Sequence, residues 1–136
     1  LLGIPKPKPS FTAREKLIYF YDEILKNYPN IRILFSTFRD IISSSENKLQ
    51  GNLYIKGKLY QSKIHRIFPI IDRIGGGDAF TSGILYGFLE NKKPQDIVTF
   101  ATAASALKHT VEGDFNTFTD QEINAYSVKE RPDIQR

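Results

Sequence analysis

The residues best suited to chemistry form one short stretch, Asp72-Arg73-Ile74-Gly75-Gly76-Gly77-Asp78-Ala79-Phe80. Three successive glycines allow positive φ and leave backbone N–H groups uncovered. Where such a run opens a helix it makes a nest for an anion, reinforced by the positive end of the helix dipole. Asp78 follows directly, so its carboxylate would stand beside whatever anion the nest holds. N–H donors that stabilise charge on a moving group, next to a carboxylate that accepts a hydroxyl proton, are the parts phosphoryl transfer needs. On these residues alone, a glycine turn with Asp78 as a plain N-cap is an equal alternative. The stretch is not a Walker A loop, because no Gly-Lys-Ser/Thr follows. Nor is it a dinucleotide fingerprint, because Phe80 stands where a third glycine is required.

Other chemistries find little support. The chain has no cysteine, and its two histidines, His65 and His109, lie far apart in sequence, which argues against a Cys- or His-ligated metal site. His109 reads as a residue on the polar side of a helix end, where a cation suits the dipole.

The elements that must position the glycine stretch can be read from pattern. Pro5, Pro7 and Pro9 alternate with lysines, so residues 1–11 read as an extended linker or severed end. Thr12 and Glu15 have capping-box spacing ahead of a helix carrying Leu17, Ile18, Phe20, Tyr21, Ile24 and Leu25. Tyr28-Pro29-Asn30 ends it, Ile31 to Phe35 reads as a short buried strand, and Ser43 to Asn47 as a polar loop. Leu53 to Tyr60 reads as a hairpin turning near Gly57. A helix opens at the glycines, with Phe80, Ile84, Leu85, Phe88 and Leu89 on one face. A second runs from Pro94 to Lys108 and is rich enough in alanine to pack very close to a neighbour. Gly113 to Asn116 is a loop, and Thr119 caps a last helix from Asp120 to about Tyr126.

A length of 136 residues suits one domain with its own core. Mean hydropathy is −0.33, and no apolar run approaches the ~18 residues a membrane span requires. The net charge of +4 comes from the middle of the chain, where residues 31–70 hold seven basic and two acidic groups. These are spread singly and read as a solvated face rather than a nucleic-acid surface. The chain starts at Leu1 and holds no methionine, and is expected to be part of something longer.

Asp72 to Phe80 resembles the C-terminal signature of the ribokinase-like (PfkB-type) carbohydrate kinases, Asp-Thr-x-Gly-Ala-Gly-Asp-x-Phe, with Arg73 and Gly76 replacing the usual Thr and Ala. Asp-Arg-x-Gly-Gly-Gly-Asp looks like the form found in 2-keto-3-deoxygluconate kinases. So do Ser36-Thr37-Phe38-Arg39-Asp40, the run from Phe100 to Thr110, and Gly113-Asp114-Phe115-Asn116. The resemblance implies an α/β fold, namely the C-terminal part of a three-layer α/β/α sandwich without its lid. Residues 12–136 would then be the nucleotide-binding part.

The implied activity is phosphorylation of 2-keto-3-deoxygluconate, with ATP and Mg2+, in the cytoplasm. The partners would be the small sugar acid and ATP, with no nucleic acid and no membrane; a homo-oligomer is compatible. Residue by residue, Asp78 matches the catalytic base, which also meets substrate, and Gly75, Gly76 and Gly77 match the anion hole. Arg39 matches an arginine directed at the substrate carboxylate, a natural target for a guanidinium fork. Asp114 matches a substrate-side polar position, and Thr37 and Thr102 match nucleotide-side positions. Two departures stand out. The family's Asn-x-x-Glu near magnesium is here Thr37-Phe38-Arg39-Asp40, leaving Asp40 with a shorter carboxylate as the metal candidate. Thr102 replaces an asparagine common among relatives. The upstream half of the family's fold would carry the lid and much of the sugar pocket, so these residues alone are expected to be inactive, or to serve only as a nucleotide-binding or structural unit.

Overall fold

The computed structural model describes residues 3–128. Thr12 caps α1 (Ala13–Asn27) through a reciprocal box: its hydroxyl accepts from the Glu15 N–H, and the Glu15 carboxylate accepts from the Thr12 N–H at 2.7 Å. Four strands follow, β1 (Ile33–Ser43), β2 (Glu46–Ile55), β3 (Lys58–Gln61) and β4 (His65–Ile67). All pair antiparallel, with β2 at the centre, β1 along one side, and β3 then β4 along the other. The chain closes with α2 (Gly76–Leu89), α3 (Pro94–Lys108) and α4 (Asp120–Val128). No helix among the described residues is long and apolar enough to cross a membrane.

Strand alternation divides the sheet between two helical layers. Leu53 packs with Phe80, Ile84, Ile97, Val98 and Ala101 from α2 and α3. One residue along, Tyr54 packs with Leu59 and Tyr21 beneath α1, where Leu17, Ile24 and Leu34 join them. A third cluster joins Leu49 and Ile67 to Phe100, Leu107, Ile123 and Tyr126. The order is α1, sheet, then α2 with α3 and α4, a three-layer α/β/α arrangement. The alanine-rich helix does pack closely: a Cβ on Gly83 would lie 2.6 Å from the Ala101 Cα, and one on Gly87 2.7 Å from Ile97.

Two sequence expectations are corrected. The first strand is not Ile31 to Phe35 but runs on to Ser43, and the polar stretch from Ser43 to Asn47 shrinks to a turn at Ser44-Ser45 before β2 begins. Backbone pairing carries these polar residues where an apolar pattern could not. Asn52, buried in β2, donates to the Ser36 carbonyl and accepts from Gln61. Gly51 is small because Thr102 and the Phe80 ring occupy the space where its side chain would go. The second correction concerns His109, which is completely buried rather than on a polar surface.

His65 is also completely buried; it stacks on Tyr126 with ring centroids 5.3 Å apart, and neither ring nitrogen has a hydrogen-bond partner. Burial, aided by the charge of Lys63, pushes its pKa down to about 4. The unfolded chain therefore binds a proton near pH 6.5 that the folded chain refuses, so stability falls as pH drops from about 6.5 toward 4, by roughly 3 kcal/mol at full effect. Urea unfolding followed against pH should show this acid limb, and His65→Phe should flatten it between pH 6.5 and 5. An unchanged limb in that variant would assign the proton uptake elsewhere.

Candidate functional site

Gly75 adopts φ +75° and caps α2, so Gly76, Gly77 and Asp78 form the first turn of the helix. The first helical hydrogen bond runs from the Ala79 N–H to the Gly75 carbonyl, 2.8 Å. The N–H groups of Gly76, Gly77 and Asp78 precede it and have no partner within the helix. Asp78 makes no capping hydrogen bond and is exposed. The N-cap alternative is therefore not realised, and the carboxylate is free at the mouth of the loop.

The loop is pinned from three directions. Asp72 accepts from the N–H of Ile74 and the N–H of Gly113, each 3.0 Å, and these bonds hold its carboxyl below the usual range. Arg73 donates to the Asn47 side chain at 3.0 Å and to the Ser43 and Ser44 carbonyls, tying the loop to the β1–β2 turn. Ser105, buried in α3, donates to the Gly76 carbonyl at 2.8 Å. One turn on, the His109 ring lies so close that a Cβ on Gly76 would sit 2.5 Å from Cε1. His109 Nδ1 is 2.6 Å from the Ser105 carbonyl, to which it donates as the neutral tautomer. Burial lowers the His109 pKa despite that bond, and the charges of Arg39, Arg73 and Lys108 add to the lowering.

Asp114 folds over the loop: a Cβ on Gly75 would meet its carbonyl at 2.5 Å and its Oδ1 at 2.9 Å. Gly75, Asp78 and Asp114 share a cavity of about 270 Å³, walled by Tyr86, Phe100, Phe115 and Asn116. The glycine loop thus opens into a largely apolar cleft that Asp78 and Asp114 both line.

The remaining sequence candidates fall differently. Thr37 and Arg39 are exposed on β1, paired with Gly51 and Leu49, and so face the α2–α3 side of the sheet. The Arg39 charge contributes to lowering the pKa of His109, which packs under Gly76. Asp40, one residue on and paired with Lys48, faces the α1 layer with Phe38, on the far side from Asp78. Thr102 has no exposed surface; its hydroxyl donates to the Val98 carbonyl at 2.6 Å and its side chain fills the space over Gly51. Sequence reasoning passed over Ser105 and Lys108 and set His109 aside. Their signal was a polar residue inside an alanine-rich run and a Lys-His pair directly after it.

The site is thus a loop-opened helix on the inner face of an α/β/α unit, with an exposed carboxylate at the third position of the helix. The family model of the pfkB carbohydrate kinases matches residues 50–121, and the chain belongs to that family. It is similar to a PfkB family carbohydrate kinase from Listeria grayi DSM 20601, at 38% identity over 90% of this chain and 37% of that one, with a TM-score of 0.80. It is also similar to the 2-dehydro-3-deoxygluconokinase of Thermotoga maritima, at 31% identity over 95% of this chain and 38% of that one, with a TM-score of 0.84. The chain thus spans less than two fifths of the length of these kinases. No curated protein matches it.

Removing the Ser105 hydroxyl leaves the buried Gly76 carbonyl without its donor. Ser105→Ala is expected to lower the urea-derived unfolding free energy by about 1–2 kcal/mol. It should also speed amide hydrogen exchange at Ala79, whose N–H closes the first turn of α2 on the Gly75 carbonyl. Native exchange at Ala79 would mean that the loop holds without α3.

Proposed function

We propose that these residues form the phosphoryl-transfer end of an ATP-dependent sugar-acid kinase whose acceptor is 2-keto-3-deoxygluconate. The carrying observation is the free Asp78 carboxylate in the first turn of a helix whose opening N–H groups are unspent. In this reading Asp78 takes the proton from the sugar hydroxyl as its oxygen attacks the terminal phosphorus of ATP, and ADP leaves. The N–H groups of Gly76 and Gly77 stabilise negative charge on the group in transit, with Gly75 giving the turn that aims them. The apolar walls of the cleft suit a nucleotide base, and Asp114 lies on its polar rim. Arg39, on the same side of the sheet as the loop, would meet the sugar carboxylate, with Thr37 beside it. Thr102 serves this site through packing under β2 rather than by contact.

The residues do not make a magnesium cage. Among the described residues no three carboxylates or histidines cluster, and Asp40 lies across the sheet from Asp78. Magnesium is commonly carried by the substrate phosphates with few protein ligands, and no step above is drawn through it.

In a coupled ADP-release assay of the active enzyme, Asp78→Asn is expected to lower kcat by a factor on the order of 10²–10⁴ and to leave nucleotide binding near native. Turnover close to native would remove Asp78 from the mechanism. A second reading rests on the length comparison: the 136 residues by themselves bind nucleotide without turning over, because the sugar must also be oriented and water excluded. ADP release by the isolated chain above its own Asp78→Asn control would defeat that reading.

Arg39→Ala is expected to raise KM for the sugar acid by about 10- to 150-fold, the worth of one charge-assisted contact, and to leave KM for a neutral sugar alcohol of similar size nearly unchanged. Equal effects on both acceptors would remove the carboxylate-reading role.

A further inference from the structure

Lys108 ends α3 with a side chain that is completely buried. Lysines are almost never found so unless paired, yet among the described residues no carboxylate lies within ion-pair distance of it. Its ammonium makes one hydrogen bond, to the Val111 carbonyl at 3.3 Å. The stem lies against the glycine loop: a Cβ on Gly75 would sit 3.1 Å from Lys108 Cε, on the same side as Asp114. The charge therefore stands beneath the N-terminus of α2, where the helix dipole is already positive and a cation is disfavoured. Asp72 feels that charge, but both its oxygens are engaged by backbone N–H groups. The charges of Arg39 and Arg73 act in the same direction on neighbouring His109.

Burying an ammonium here costs folding free energy, and among the described residues no ion pair offsets it. The arrangement becomes favourable once an anion rests on the loop, where the low surrounding dielectric strengthens the attraction. We infer that Lys108 is a positioning residue of the phosphoryl site, supplying fixed positive charge under Gly75 and bracing the loop against Asp114. The inference rests on the phosphoryl-transfer reading of that loop. It assigns Lys108 no contact with substrate; it acts through Gly75 and through its field.

The test titrates the 136-residue chain with sodium tripolyphosphate by calorimetry, alongside thermal melts, for the native chain, Lys108→Met and Lys108→Arg. Lys108→Met keeps the length and removes the charge. It is expected to bind tripolyphosphate more weakly by a factor on the order of 10–100, with a melting temperature equal to or above native because a buried charge has gone. Lys108→Arg is expected to restore most of the affinity. Native affinity in the Met variant would overturn the inference while leaving Asp78 and the loop untouched, since those are read by turnover. Parallel loss of affinity and melting temperature would make Lys108 a scaffold residue and overturn it too. Should the Met variant fail to fold, Lys108→Gln carries the same comparison, and failure of both to fold counts against the inference. A native chain that ignores tripolyphosphate would overturn both the inference and the reading beneath it.

Discussion

The structure depends on how closely the glycine loop sits on the last turn of α3. Neither Gly75 nor Gly76 has room for a methyl group, because Asp114 and Lys108 crowd the first and His109 crowds the second. That contact sets the height and direction at which α2 leaves the loop. The two helices then stay in touch along their length, Gly83 against Ala101 and Gly87 against Ile97. Small residues on both helices are one continuous requirement. A larger side chain near the far end would lever α2 away from α3 and lift the N–H groups that the site uses.

The same contact explains why a histidine is buried there. A neutral imidazole is flat enough to lie under Gly76 and can still donate to the Ser105 carbonyl. Its other nitrogen has no partner. Burial and the nearby cations lower its pKa, which disfavours a further positive charge in a crowded region. Ser105 completes the grip by polarising the peptide between Gly76 and Gly77, whose N–H points the opposite way from the carbonyl it engages. The glycine loop is thus shaped mainly by the last turn of α3.

Much of this was legible in the sequence, and the parts that were not share a cause. The helices could be read because capping and spacing are local: Thr12 with Glu15 marks the start of α1, and Thr119 with Glu122 holds the start of α4 in the same way. The hairpin at Lys56-Gly57 declared itself through its turn residues, both with positive φ. The loop and Asp78 were visible because glycine runs have few uses. By contrast, β1 beyond Phe35 and β2 before Leu53 are strands made by pairing with each other, through residues such as Asn47, Gly51 and Asn52 whose types argue against a strand. Their suitability comes from partners distant in sequence. The roles of Ser105, Lys108 and His109 were hidden for the same reason: each is defined by a loop about thirty residues earlier in the chain.

Register decides which polar residues of β1 can take part at all. Thr37 and Arg39 share the face of Gly51 and Leu49, toward the loop, whereas Phe38 and Asp40 share the face of Gln50 and Lys48, toward α1. A shift of one residue would exchange the two sets, bringing a carboxylate up to the nest and sending the guanidinium to the far layer. Several features resist that shift. Gly51 must lie under Thr102 and Phe80, Leu53 must enter the α2–α3 core, and Tyr54 must reach Asp22 of α1 with its hydroxyl. Arg73 adds a fourth, since its hydrogen bonds to Ser43, Ser44 and Asn47 clamp the turn between the strands to the glycine loop itself. The glycine motif therefore also sets, through its arginine, which side of the neighbouring strand faces it.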